Sequence, residues 1–289
     1  MDHGWLHDTV AGQFGITGPL RQLGGEHDLN FRATTAGGDV IVKAMRRNGD
    51  VALVENQCSA IAWALRSDPS LPLPHILPAP DGRLWQPLAD DGGHPRVVWV
   101  QRALEGIPMG DAGSQRLETL SALGGLAARL DRALAGYEWV PTPDAARWDL
   151  SKAGWIAERL PVLGDGPRRR LVEGIVADYQ KALPALMDLP TQPIHNDLND
   201  FNILVVPGLT EPARVSGLID FGDMALAPSV CEIAITGAYA ILDHETPEAA
   251  LCALVAGYHG VSPLSATEID LVWPLLRMRL AVSVVNSTI

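Results

Sequence analysis

The chain has 289 residues, 47% of them hydrophobic and 19% charged, which is the composition of an ordered protein large enough to bury a full core. Acidic residues outnumber basic ones by 34 to 22, and the resulting net charge of −12 disfavours nucleic acid and anionic membranes as partners, while it suits an amine-bearing small molecule. The three cysteines have neither metal-site nor disulfide spacing, the N-terminus lacks the features of a signal peptide, and no apolar run reaches the roughly 18 residues of a membrane span, so a cytoplasmic protein is expected.

The first hundred residues predict an antiparallel sheet with one helix. Five β-like runs, separated by glycine-rich or proline-rich turns, lie at 19–23, 29–35, 39–45, 82–88 and 96–102. A helix is predicted to begin after Asp50, because the apolar residues from Val51 to Leu65 recur at spacings of three and four. Glu55 lies one step beside that apolar stripe.

The remainder of the chain is mainly helical in pattern. After a linker at 103–113, helices are predicted at 117–134, 148–160 and 168–188, and again from 229 onward. We therefore predict an α+β, bilobal fold, with a small antiparallel β-rich lobe at 1–103 and a larger helical lobe at 104–289. Clefts between two lobes are common sites for small ligands.

A polar motif interrupts the helices. In "IHNDLNDFNILV", which begins at Ile194, three residues fit H-x-D-x-x-x-x-N: His195, Asp197 and Asn202. Asp220 opens "DFGD" eighteen residues after Asn202, at the end of the β-like run "VSGLID". Phosphoryl transfer from a nucleotide needs one carboxylate to orient the attacking hydroxyl and an oxygen-rich pair to hold Mg²⁺. Asp197 has the chemistry of the first group, and Asn202 with Asp220 has that of the second.

The phosphates also need a cation. Lys43 lies in the middle of the predicted strand at 39–45, and Glu55 on the following helix could hold it as a charge-assisted pair. Taken singly, a lysine on a strand or a glutamate on a helix is more often an exposed, solvated side chain. The order of lysine, glutamate, H-x-D motif and "DFG" along one chain is far more specific than any of its parts.

In these residues the chain resembles the aminoglycoside phosphotransferase and choline kinase group of protein-kinase-like small-molecule kinases. The resemblance runs from about Leu23 to about Ala240 and is densest at "HNDLNDFNILV" and "GLIDFGDM". Asn196 stands where that group more often has glycine, and the fuller string is most similar to the hydroxylysine kinase branch. That branch includes bacterial kinases followed by a pyridoxal-phosphate-dependent module.

The resemblance implies a bilobal protein-kinase-like fold and a role for each matched residue. Asp197 would be the catalytic base, Asn202 and Asp220 the Mg²⁺ ligands, and His195 a support for the catalytic loop. Lys43, with Glu55 as its partner, would contact the α and β phosphates of ATP or GTP. Gly24 and Gly25 would cover the phosphates, although G-x-G-x-x-G is missing there, and the backbone from Gln101 to Leu104 would face the purine.

Three further carboxylates have open roles. Asp200 and Asp223 flank the motif and are candidates for contact with a substrate ammonium or a second metal, or for capping a turn. Asp149, in "RWDL", begins a predicted helix, where a cap is the commoner role and substrate contact the alternative.

The predicted activity is transfer of the γ-phosphoryl group of ATP or GTP to a hydroxyl of an amine-bearing metabolite, with a hydroxylated amino acid similar to hydroxylysine as the best candidate. The alternatives are choline, ethanolamine, homoserine or an aminoglycoside as acceptor. A nucleotide-binding pseudokinase is the alternative of another class, and the complete set of Lys43, Asp197, Asn202 and Asp220 argues against it. The apolar pattern continues to Ile289 without a stop signal, so continuation into a pyridoxal-phosphate-dependent module is a further expectation.

Overall fold

A six-stranded antiparallel sheet forms the N-terminal part of the computed structural model, which describes residues 4–25, 28–45, 51–90, 92–140, 147–208 and 210–288. The strands are β1 (Arg21–Leu23), β2 (Leu29–Thr35), β3 (Gly38–Ala44), β4 (Ile76–Leu77), β5 (Gln86–Ala89) and β6 (Pro95–Arg102). Their order is β1-β2-β3-β6-β4, and β5 also pairs with β6. The predicted antiparallel arrangement is confirmed, whereas the two-residue strand β4 was not predicted, because it lies in the proline-rich segment that was interpreted as a connector.

Two helices accompany the sheet. The helix α2 (Val51–Ser67) follows β3 as predicted, and its buried residues Val54, Cys58 and Ile61 have the expected spacing. The N-terminal helix α1 (Gly4–Phe14) was not predicted. Leu6 and Val10 of α1 pack with buried residues of β2 and β3 in a small core of their own.

Helices dominate the C-terminal part. They are α3 (Leu117–Leu134), α4 (Pro167–Met187), α5 (Val230–Ala240), α6 (Pro247–Val261) and α7 (Ala266–Asn286). A 3₁₀ helix at Leu150–Leu163 replaces the α-helix predicted at 148–160. Its buried Leu150, Ala153 and Ile156 recur every third residue, a spacing that 3₁₀ and α-helices both allow in a short segment.

Helices α3 and α6 pack unusually closely. A Cβ atom added to Gly124 would overlap the carbonyl of Leu254, and one added to Gly257 would overlap the carbonyl of Ser121. The two glycines therefore allow the helix backbones to touch, which brings the C-terminal half of α6 against α3.

Within the described residues, no helix combines the length and apolarity needed to cross a bilayer.

Short strands hold the polar motif. The strand β9 (Ile203–Val206) pairs with β7 (Ile107–Pro108) and β10 (Arg214–Leu218), while β8 (Gln192–Ile194) pairs with β11 (Ala225–Ala227). The loop 195–202 connects β8 to β9, and Asp220 lies between β10 and β11. The two halves of the predicted site are therefore held side by side by neighbouring ladders.

Candidate active site

The loop 195–202 is braced by His195, which is fully buried. The main-chain N–H of Asp197 donates to Nδ1 of His195 at 3.2 Å, so Nε2 carries the ring proton and donates to the carbonyl of Ile219 at 3.1 Å. Burial lowers the pKa of His195 to about 4, which keeps the ring neutral at physiological pH. His195 thus ties the loop to the residue that precedes Asp220.

Asp197 is held by donors on both of its carboxylate oxygens. Oδ2 accepts from the side-chain amides of Asn202 at 2.7 Å and Asn199 at 3.0 Å, and Oδ1 accepts from Nη2 of Arg279 at 2.5 Å. Burial raises the pKa of Asp197 to about 7, against the opposing effect of the Arg279 charge, and the charges of Asp223 and Asp220 add to the rise. The carboxylate therefore titrates close to neutrality, where a group that accepts a proton from a hydroxyl works best.

Arg279 is a site residue that the sequence did not predict. It comes from α7, is 1% exposed, and stacks over the rings of Trp148 at 4.5 Å and Tyr239 at 5.6 Å. It also donates to the Tyr239 hydroxyl at 3.1 Å and to the main-chain oxygen of Trp148 at 3.2 Å. The available signal was a basic residue within the apolar helical pattern of 271–289, but the pattern does not say which carboxylate it meets.

Asn202 and Asp220 lie together and have the donor chemistry of a Mg²⁺ site. The Asn202 amide nitrogen donates to the side chain and, at 2.9 Å, to the main chain of Asp197, which leaves its carbonyl oxygen available as a ligand. The main-chain N–H of Ile219 donates to the Asn202 main-chain oxygen at 2.9 Å and brings Asp220 to the same place. Asp220 has a left-handed backbone, with φ of 68°, and a side chain that is 49% exposed.

Lys43 completes this cluster. It is buried, and its Nζ lies 3.4 Å from Oδ1 of Asp220 and 5.4 Å from the centre of the Trp99 ring. Burial opposes the charged form of Lys43, but the charges of Asp220 and Asp28 outweigh it and raise the pKa of the amine. The Lys43 charge in turn lowers the pKa of Asp220. Both groups are therefore ionised at neutral pH.

The predicted pairing of Lys43 with Glu55 is not found. Glu55 is exposed, and among the described residues no ion pair joins it to Lys43, whose carboxylate partner is Asp220. On α2, the thiol of Cys58 lies close enough to Lys43 for that charge to lower its pKa. Burial has the larger effect and raises the pKa of the thiol to about 12. The helical phase is the physical reason, because Glu55 lies one position beyond the buried Val54 and so beside the face that packs on the sheet.

Substrate contact by Asp149 is also not supported. Its side chain is 1% exposed and caps the 3₁₀ helix, with bonds from Ser151 N at 2.9 Å, Ser151 Oγ at 2.6 Å and Lys152 Nζ at 2.7 Å. Asp149 is therefore a cap, the commoner of the two roles considered for it.

Asp200 and Asp223 do lie at the catalytic loop. Asp200 is partly buried, its main-chain oxygen accepts from Gly110 at 3.0 Å, and burial and the Asp111 charge raise the pKa of its carboxyl group. The main-chain oxygen of Asp223 accepts from the Asn196 amide at 2.9 Å. The charge of Asp223 acts on Asp197, whereas the Asp200 carboxylate lies beside Gly110, and substrate contact by either group stays a prediction.

The predicted nucleotide-facing residues lie after β1, in β6 and just after β6. Gly24 and Gly25 are exposed between β1 and β2, and the Asn30 amide donates to the Gly24 carbonyl at 3.2 Å. Gln101 lies in β6 and pairs with Ile41 of β3 and Ile76 of β4. The N–H groups of Arg102 and Ala103 donate to the main-chain oxygens of His75 at 2.9 Å and Asp39 at 3.0 Å. Leu104 is then the first of these residues whose backbone lies beyond the sheet bonds, and purine contact there stays a prediction.

Among the described residues, no group of three or more His, Cys, Asp or Glu side chains has the arrangement of a metal site. A site made of Asn202 and Asp220 is compatible with this result, because Mg²⁺ in nucleotide sites takes only one or two protein ligands and completes its shell with phosphate and water oxygens.

Comparison with known proteins gives a consistent set of matches. The model of the phosphotransferase enzyme family matches residues 20–268. Hydroxylysine kinase of Danio rerio is 28% identical over 296 aligned residues, which cover 99% of this chain and 83% of that protein. Homoserine kinase of Gluconobacter oxydans is 35% identical over 157 residues, which cover 50% of this chain and 45% of that protein.

The architecture also matches solved structures. The structure of an amicoumacin kinase in complex with AMP-PNP, Ca²⁺ and Ami superposes with a TM-score of 0.72 at 15% identity, covering 100% of this chain and 86% of that one. At this identity the match concerns the fold alone, and it confirms the predicted α+β, kinase-like arrangement of an antiparallel sheet and a helical part.

Proposed function

Since the chain belongs to the phosphotransferase enzyme family, we propose that it transfers the γ-phosphoryl group of ATP or GTP to a hydroxyl of an amine-bearing metabolite, with a hydroxylated amino acid as the preferred acceptor. The nucleotide would lie between the sheet, residues 1–103, and the helical part, residues 104–289. The product would be a phosphate ester, whose phosphate leaves more readily than hydroxide, so a lyase-type pyridoxal-phosphate-dependent module would be a chemically suitable next step.

One observation carries the proposal. Asp197, which titrates near neutrality, shares a single network with the oxygen donors Asn202 and Asp220 and with the buried cation Lys43. In the proposed scheme, this network would supply a proton acceptor, a metal-binding pair and a phosphate-binding charge. Phosphoryl transfer relies on these groups because its catalysis consists mainly of positioning and charge stabilisation.

Asp197 would orient the acceptor hydroxyl and take its proton. Three donors fix the plane of its carboxylate, so few orientations remain open to a hydroxyl that binds its accessible edge. Because Asn202 donates to Asp197 through nitrogen, its carbonyl oxygen is the atom that would hold the metal. Asn202 and Asp220 would hold Mg²⁺, which would supply positive charge to offset that of the nucleotide phosphates.

Lys43 has two roles in this scheme. In the structure it neutralises Asp220 at 3.4 Å, and its Nζ would contact the phosphates when a nucleotide binds. The Trp99 ring beneath the ammonium and the low exposure of Lys43 hold its position. A preformed cation of this kind lowers the cost of gathering charged groups around the phosphates.

An amine-bearing acceptor fits the charge of the entrance. The negative charge of Asp223 acts on Asp197, Asp200 belongs to the same loop, and the chain as a whole has a net charge of −12, so a cationic substrate would be attracted and a purely anionic one repelled. The similarity to hydroxylysine kinase over nearly the whole chain supports a hydroxylated amino acid. The shorter match to homoserine kinase makes homoserine the second acceptor to test.

The proposal is tested by incubating the protein with Mg²⁺, ATP or GTP, and a panel of acceptors, while nucleoside diphosphate release is recorded. The panel includes hydroxylysine, homoserine, choline, ethanolamine and an aminoglycoside. We expect release that depends on an acceptor and is fastest with a hydroxylated amino acid. Release that no acceptor increases would contradict the proposal, and a preference for choline or an aminoglycoside would contradict its acceptor class.

A further inference from the structure

Two buried carboxyl groups lie beneath the catalytic loop and have no part in the scheme above. Asp131 comes from α3 and is 2% exposed, and Glu232 comes from α5 and is fully buried. Isolated carboxylates at such sites are costly, so each should have donors for its oxygens. Among the described residues, one oxygen of each group has a hydrogen-bond donor and the other has none.

Glu232 holds the turn that leads to Asp197. Its Oε2 accepts the main-chain N–H of Asn196 at 2.8 Å, and the main-chain N–H of His195 also stabilises the charged form. Asn196 has a left-handed backbone with φ of 66°, which is an unfavourable conformation for a residue other than glycine. The Glu232 carboxylate therefore fixes the strained residue next to the catalytic base.

Asp131 connects this anchor to the helices behind it. Its Oδ2 accepts from the Tyr258 hydroxyl at 2.5 Å, a contact made possible by the close packing of α3 on α6 at Gly124 and Gly257. Its main-chain oxygen accepts from Gln192 at 2.9 Å, at the start of the strand β8 that leads into the loop.

The remaining oxygens are Oδ1 of Asp131 and Oε1 of Glu232. Both are buried, and neither has a hydrogen-bond donor among the described residues. The helices α3 and α5 that carry the two groups pack against each other. Burial raises the pKa of both groups, and the charge of Glu232 raises that of Asp131 further. Two carboxyl groups with one buried unpaired oxygen each would be satisfied together by a single proton held between them.

We propose that Asp131 and Glu232 share one proton, with the Oδ1 hydroxyl of Asp131 donating to Oε1 of Glu232, and that Asp131 is thereby a positioning residue for the catalytic loop. Its effect on turnover rests on the proposed kinase function, whereas the shared proton does not.

The neighbours indicate which group carries the proton. Glu232 faces the main-chain N–H groups of Asn196 and His195 and the charge of Arg279 on α7, all of which favour its anion. Among the described residues, the one donor to the Asp131 carboxylate is the Tyr258 hydroxyl of α6, and Asp131 also faces the negative charge of Glu232. The other titratable neighbour is Cys231 of α5, whose thiol stays neutral because burial and nearby carboxylates raise its pKa.

The first test detects the proton itself. The infrared spectrum of the wild type at pH 7 should contain a carbonyl band from the buried Asp131 carboxylic acid, beside the band of the partly protonated Asp197, and Asp131→Asn should lose only the Asp131 band, because an amide donates to Glu232 without titrating. Asp165→Asn, at a fully exposed carboxylate, is the matched control and should leave the band unchanged. Proton uptake on folding near pH 7 should also fall by about one in Asp131→Asn. Identical spectra and identical proton uptake in wild type and Asp131→Asn would overturn the proposal.

The second test measures positioning. Asp131→Leu leaves Glu232 without its donor and should lower kcat by about 10²-fold, the cost of a small displacement at a reacting centre, with little change in the KM for nucleotide. Asp131→Asn should restore kcat to within about threefold of the wild type, because it rebuilds the hydrogen bond. An unchanged kcat in Asp131→Leu would refute the positioning role. If Asp131→Leu does not fold, Asp131→Asn decides: the role is refuted if it loses kcat although it folds. A wild type without kinase activity would refute the proposed function and leave the infrared result standing.

Discussion

Replacing Arg279 by Met should raise the pKa of Asp197 and shift the activity to higher pH. Arg279 is the one cation that bonds the Asp197 carboxylate in the described structure, through Nη2 and Oδ1 at 2.5 Å, and Asp197 is only 15% exposed. Methionine keeps most of the side-chain length and packs against the same rings, so the main loss is the charge. Without that charge, the protonated form of Asp197 becomes more favourable.

The size of the shift follows from the bond that is removed. A hydrogen bond to a charged group contributes about 1.5–3 kcal/mol, and about 1.4 kcal/mol corresponds to one pKa unit. The acid limb of the profile of kcat/KM against pH should therefore move up by roughly 1–2 pH units. The pKa of Asp197 is about 7 in the wild type. At pH 7 the ionised fraction would then fall from about one half to about 1–10%, and most of the loss should be recovered near pH 9.

The assay is the pH dependence of kcat/KM for the acceptor, which reports the ionisation of the free enzyme. Arg277→Met is the matched control, because Arg277 also lies on α7 but pairs with the half-buried Asp178 of α4, at 3.1 Å, and not with Asp197. It should leave the acid limb in place. If Arg279→Met folds and loses activity equally at every pH, Arg279 does not act through the pKa of Asp197 and the reasoning is refuted.

Three further predictions concern the residues around this centre. Lys43→Met removes the charge beside Asp220 and should raise the KM for nucleotide by about 10-fold or more, measured by initial rates, and an unchanged KM would contradict a phosphate contact. Glu55→Gln should keep the wild-type KM for nucleotide to within about twofold in the same assay, because Glu55 is exposed and the partner of Lys43 is Asp220; a 10-fold rise would restore the paired assignment. Asp149→Ala should lower the free energy of unfolding by about 1–2 kcal/mol in urea titrations, because a helix cap is lost, while the KM for acceptor stays the same in the folded enzyme; a raised KM with unchanged stability would instead indicate substrate contact.

Much of the fold was predictable because it is encoded locally. The strand β2 lies at the predicted residues 29–35 and α3 at the predicted residues 117–134, since alternation and helical spacing are strong in both. The two-residue strand β4 carries no such pattern, and its pairing with β6 depends on tertiary packing. The 3₁₀ helix could not be distinguished from an α-helix in the sequence either, because the spacing of its buried residues is the same as in a short α-helix.

The site residues also divide into those that a local motif predicts and those that depend on long-range contacts. Asp197, Asn202 and the bracing His195 lie within eight residues of one another, so a local motif was enough to bring them together. Arg279 is 82 positions from Asp197, and Tyr258 is 127 positions from Asp131, and single-sequence patterns contain no information on contacts at that range. The Glu55 prediction failed for a related reason, because helical spacing gives the buried face of α2 but not its rotation relative to Lys43.

The role of Asp197 is tested most directly by ³¹P NMR of the reaction products. Wild-type protein, Mg²⁺, ATP or GTP and a hydroxylated amino acid should yield a phosphate ester on the acceptor hydroxyl together with nucleoside diphosphate. Asp197→Asn should lower the rate of ester formation by about 10²- to 10⁴-fold, because the hydroxyl loses its proton acceptor. Asp165→Asn, at a fully exposed carboxylate outside the candidate site, should keep the wild-type rate. Ester formation at the wild-type rate in Asp197→Asn, or no ester with any acceptor in the wild type, would contradict the account.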